Sequence, residues 1–110
     1  MNICLPNKRY LTPHLLADGR DNGLSVVTIG EDGSVNYTPF AEERHSTLWI
    51  DGPIILIKNV ELNDFLLSDI EMMISMQRGI PAINDYLKSS SLYPLKGESC
   101  TAIILQHVTS

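Results

Sequence analysis

His14, His45 and His107 are the residues of this chain best suited to hold a metal, and their spacing does not suit one. Metal ligands arrive as local pairs, either two histidines one helical turn apart or two residues apart on a strand. These three lie far apart, and each falls in or beside a predicted strand. The carboxylates Asp18, Asp21, Glu31, Asp32, Glu42 and Glu43 fall in predicted turns or connections, where a solvated loop group is the ordinary reading. The run Asp18-Gly19-Arg20-Asp21-Asn22-Gly23 has the look of a calcium loop but lacks the distal bidentate Glu of that motif. No Gly-x-Ser-x-Gly elbow is present, and neither cysteine carries a local catalytic signature. Phosphate cradles need a Gly-rich turn between a strand and a helix, whereas the glycines here open hairpins. The sequence therefore assigns no catalytic residue, no cofactor-binding residue and no metal ligand, and the chain reads as no enzyme.

Cys4 and Cys100 lie near opposite ends of the chain. Domain termini often approach each other, so a disulfide between them is within geometric reach. In a cytoplasmic chain thiols stay reduced, and both are expected to be free and structural, with Cys100 a small buried hydrophobe at the start of a strand.

The elements that would position any site follow from the apolar pattern. Residues 8–16 read as a first strand, placed at an edge by Pro13, which cannot donate to a ladder. Ala17 to Gly23 is a turn cluster. Leu24 to Ile29 and Ser34 to Thr38 form a hairpin about Gly30-Glu31-Asp32-Gly33, with Gly33 free to take positive φ. Phe40 to Arg44 reads as a connection. A strand around Glu43 to Ile50, a Gly52-Pro53 break and a second strand follow. Residues 54–57 are all aliphatic, which is how a strand buried on both faces reads. Such a strand needs a second layer to cover it.

The period then changes. Ser68-Asp69-Ile70-Glu71 fits a capping box, and Ile70, Met73 and Ile74 form a helical stripe beyond it. Gly79 reads as a helix stop and Pro81 as a first-turn residue of a second helix, giving helices at about 68–78 and 81–89. Ile83, Tyr86 and Leu87 are predicted to face the core. Thr101 to Val108 is a last, largely buried strand. The expected fold is α+β and mainly β. About six strands make an antiparallel or mixed sheet or a small sandwich, with a short two-helix insertion before the last strand. The N- and C-terminal strands are expected to share a sheet.

The 110 residues suit a single domain, 1–110, and 44% hydrophobic with 19% charged residues is ordinary globular composition. A net charge of −5 does not suit a nucleic-acid backbone binder. No apolar run approaches the roughly 20 residues needed to cross a bilayer. The first residues lack the basic segment, apolar core and cleavage site of a signal peptide. A cytoplasmic location is the expectation.

Three pieces carry a family resemblance: Arg9-Tyr10-Leu11-Thr12-Pro13, Val26 to Val35 about Glu31-Asp32-Gly33, and Leu48-Trp49-Ile50-Asp51-Gly52-Pro53-Ile54-Ile55. Their layout resembles the small composite β-domain that opens metal-dependent amidohydrolases of the imidazolonepropionase and cytosine deaminase type. In that family the end of the chain returns to the same domain, and Leu95-Lys96-Gly97-Glu98 followed by Thr101 to Val108 is similar to that return. The family's apolar segment leads into a His-x-His motif that binds metal. Ile57-Lys58-Asn59-Val60-Glu61-Leu62-Asn63-Asp64 holds no histidine. A catalytic barrel of roughly 250 residues has no room in the chain. What the resemblance implies is the β-domain with its barrel replaced by a helical hairpin.

The sequence thus leads to a non-catalytic domain acting through protein–protein contact, most simply as a homodimer. Trp49 and the Met72, Met73 and Met76 group are its expected contact surfaces. The alternative is a small-molecule or peptide-binding module with a pocket between sheet and helices, lined by Trp49, Tyr37 and Tyr86.

Overall fold

The computed structural model describes residues 2–40, 47–59, 64–76 and 78–105. In chain order these form β1 (Asn2–Ile3), β2 (Lys8–Thr12), β3 (Leu15–Ala17), β4 (Arg20–Asp21), β5 (Ser25–Ile29), β6 (Val35–Pro39), β7 (Leu48–Trp49) and β8 (Ile54–Lys58). Helices α1 (Asp64–Ser75) and α2 (Ile80–Ser89) and strand β9 (Cys100–Ile104) follow. The architecture is mainly β with a two-helix insertion before the last strand, as the pattern of periods predicts.

Two mixed sheets result, one in the order β1-β9-β8-β3-β4 and one in the order β6-β5-β2-β7. The five-stranded sheet is the middle of three layers. Along β8, Ile55 and Ile57 join Leu16, Ile103, Ile70, Ile83 and Leu87 in a core beneath the helices. Ile54 and Leu56 join Leu15, Ala17, Ala102, Tyr10 and Val27 in a second core beneath the four-stranded sheet. The strict alternation of a strand's side chains feeds both cores at once. Ile54, Ile55 and Ile57 are each 0% exposed, so the aliphatic run is covered on both faces. The predicted first and last strands share a sheet only in part, since β3 lies in the sheet of β9 and β2 in the other; β1, which the sequence did not suggest, pairs antiparallel with β9, and Cys4 N–H continues that ladder to Ala102 O at 2.9 Å.

The predicted strand over 8–16 is two strands in two sheets. β2 lies between β5 and β7, and β3 lies between β8 and β4, so neither is an edge. Pro13 breaks the ladder at the point where the chain crosses from one sheet to the other. β7 and β8 make the same crossing alongside, through Gly52-Pro53, with β7 parallel to β2 and β8 parallel to β3. Three hydrogen bonds tie the crossings together. Ile50 N–H donates to Leu11 O at 2.8 Å and Ile54 N–H to His14 O at 3.0 Å. Between them the fully buried Thr12 hydroxyl reaches Gly52 O at 2.8 Å.

Turn chemistry sets the hairpins. Asp18 (φ 56°) and Gly19 (φ 81°) form a two-residue loop with both φ positive, which matches the twist of β3 and β4. The β5–β6 hairpin turns as predicted, with Gly33 at φ 87°. The helix onset differs: α1 begins at Asp64, so Ser68 sits in its second turn and does not cap it. Gly79 caps the N-terminus of α2, with Pro81 in the first turn. The strand expected around 43–50 is β7 alone among the described residues, and 41–46 lie outside them. The last strand is described as far as Ile104, and residues 106–110 lie outside. Cys100, expected to be buried, is half-buried, while Cys4 is buried.

Candidate functional site

The apolar stripe of α1 turns Ile70 into the core, with Met73 and Ile74 packed half-buried against it. α2 turns Ile80, Ile83 and Leu87 inward. That geometry leaves the next positions round α1 facing away. Met72 is 60% exposed and Met76 is 63% exposed. Met76 N–H donates to Met72 O, and Arg78 N–H folds back to Met73 O, both at 3.0 Å. The chain then turns at Gly79 into α2.

A groove of about 380 Å³ runs between the helices, lined by Asp69, Met72, Met73, Arg78, Ala82, Asp85 and Tyr86. Three of the six expected contact residues, Met72, Met73 and Tyr86, therefore meet in one place. The Tyr86 hydroxyl donates to Asp69 Oδ2 at 2.9 Å across the groove. Partial burial, aided by that bond, raises the Tyr86 phenol above its ordinary value. Flexible thioethers beside an aromatic ring, with an arginine and two carboxylates at the rim, suit contact with another surface.

Trp49 and Tyr37 lie elsewhere. β7 and β6 are opposite edges of the four-stranded sheet. Trp49 aligns with Leu11, Val26 and Thr38; that row is on the outer face, and Trp49 is 56% exposed. Tyr37 points the other way, and its hydroxyl hydrogen-bonds Asp18 at the β3–β4 turn. That bond, with some burial, pushes the Tyr37 phenol up to about 12. The pocket expected from Trp49, Tyr37 and Tyr86 is not formed; the three residues occupy separate places. Tyr37 instead borders a polar depression of about 360 Å³ with Arg20, Asp21, Asn22, Ser25 and Pro39.

Sequence reasoning missed one pair. His14 Nδ1 lies 2.8 Å from Asp21 Oδ2, a diagonal contact that the tight Asp18-Gly19 turn makes. The signal was the Asp-Gly dipeptide, which sets the register of β3 against β4. Of the loop carboxylates, Asp18 and Asp21 thus hold side-chain partners, and Asp32 Oδ1 accepts Ser34 N–H at 3.0 Å. Among the described residues no three His, Cys, Asp or Glu side chains converge as metal ligands. His45, His107, Glu42 and Glu43 lie outside those residues. No described helix is long and apolar enough to cross a membrane.

Comparison with known proteins gives no relative: no family model matches the chain, and no curated protein or solved structure does either.

Proposed function

We propose that this chain is a non-catalytic, cytoplasmic contact domain that associates with a second copy of itself through the α1–α2 face. The observation that carries the reading is the exposure of Met72 and Met76, one turn apart, beside the groove that holds Met73 and Tyr86. Large apolar side chains grouped on one face mark contact surfaces. Sheet edges offer a poorer route to assembly. β1, β4 and β7 are two residues long, and β6 ends in Pro39, which lacks a donor. The proposal includes descent from the small β-domain of amidohydrolases. The Glu31-Asp32-Gly33 hairpin and the return of β9 beside β1 support that descent.

Sizing with light scattering tests the reading. Wild type at micromolar concentration is expected at the mass of two chains, and Met72→Gln/Met76→Gln at the mass of one. A wild-type mass of one chain, unchanged on concentration, contradicts it.

A further inference from the structure

Asp69 and Met72 on α1, and Met76 in the turn just past its end, are three and four residues apart, the alternation that keeps side chains on one seam. Arg78 closes the seam, because its backbone folds back onto Met73 O. Asp69, Met72 and Arg78 line the same groove, and Met76, which lies between Met72 and Arg78 in sequence, is exposed. The order along the seam is acid, thioether, thioether, base. An order of that kind is complementary to itself reversed.

A two-fold axis beside Met73 and Ile74 would set Met72 against Met76 of the second copy, and Asp69 against Arg78 of the second copy. Every contact then occurs twice, as an isologous interface requires. The charges available for this are free to make it. The Arg78 guanidinium has no ion-pair partner within the chain among the described residues. Asp69 keeps one carboxylate oxygen beyond the one that accepts from Tyr86.

We infer that two copies of this chain pack α1 against α1 antiparallel, with Asp69–Arg78 contacts flanking a methionine centre. The inference rests on the self-association proposed above and adds its register. Thioethers supply adaptable apolar contact, and the charge pairs at the ends fix the register.

Charge reversal by mixing tests it. Asp69→Arg alone places like charges at both ends of the interface, and Arg78→Asp alone does the same with the opposite sign. Each variant is expected to dimerise about tenfold or more weakly. Mixed in equal amounts, the two variants restore attraction at both ends, and native mass spectrometry should show heterodimers in excess over either homodimer. A pair acting within one chain has no means of producing that dependence on mixing. Oxidative cross-linking gives a second readout for the case in which a charge variant fails to fold. Met72→Cys chains mixed with Met76→Cys chains should form a disulfide between copies faster than either alone, with oxidised glutathione accepting the two electrons. Dimeric wild type with neither heterodimer excess nor preferential cross-linking overturns the register and leaves self-association standing. A wild type that stays a single chain at every concentration overturns both.

Discussion

The two sides of β8 are equally dry but differently covered. Ile54 and Leu56 face a four-stranded sheet that is joined to the central sheet by continuous chain at both crossings. Backbone and Thr12 hydrogen bonds bind those crossings to each other. Ile55 and Ile57 face two helices, which are held on the sheet by side-chain packing and, just past α2, by Lys58 N–H donating to Leu92 O at 3.0 Å. Outer surfaces differ as well. On the sheet, the half-buried Leu11 and Val26 alternate with the row Arg9, Thr28 and Asn36. On the helices, thioethers and a charged rim surround a groove. Both covers close a core; the sheet exposes Trp49 at one edge, whereas the helices gather Met72 and Met76 beside a groove.

The largest effect belongs to the helix-side core. Ile55→Ala should cost about 2–5 kcal/mol, because a buried aliphatic side chain is lost from a close-packed layer. Chemical denaturation checks it, and a loss on the scale of a surface substitution would mean the helices do not seal that side. Next is the hinge between the sheets. Thr12→Val keeps the shape but strips Gly52 O of its donor inside the protein, which should cost about 1–3 kcal/mol. An unchanged denaturation midpoint would show that the crossings do not need the tie.

The contribution of Cys4 is confined to alkaline pH. Burial pushes its thiol from 9.0 up to about 12. The folded state therefore keeps a proton that the unfolded chain releases. This contribution is fully present below about pH 9 and is lost as the pH rises toward 12. Wild type should lose stability across that window more steeply than Cys4→Ala; parallel profiles would contradict it. The smallest stability effect, measured at concentrations low enough for wild type to be a single chain, is expected from Met72→Gln/Met76→Gln, within about 0.5 kcal/mol, since both side chains are exposed. A large loss there would show these methionines to be core residues rather than contact residues.

Much of the fold was legible, and what escaped has identifiable causes. Four aliphatic residues at 54–57, three of them isoleucine, read as a strand with cover on both faces, and the two core clusters bear that out. Leu15-Leu16-Ala17 carries the same signature, but Pro13 next to it reads as an edge marker. A proline leaves the ladder in the same way whether the chain ends at an edge or crosses to another sheet. Ser68-x-x-Glu71 fits a cap wherever it occurs, and the apolar Phe65-Leu66-Leu67 before it belongs to the same helix. For the site, sequence named Met72, Met73 and Tyr86 but not their meeting, since that depends on how two helices lie on a sheet. The separation of Trp49, Tyr37 and Tyr86 was hidden for the same reason: strand order is a tertiary property.

The central claim is that the helix side, and not the sheet side, is where this chain meets a second copy. Amide hydrogen exchange followed at rising protein concentration tests it most directly. Protection should grow with concentration at the end of α1 and in the turn into α2, around Met72 to Ala82, while β5 and β6 stay unchanged. Growth of protection in the four-stranded sheet, or none anywhere, would contradict it.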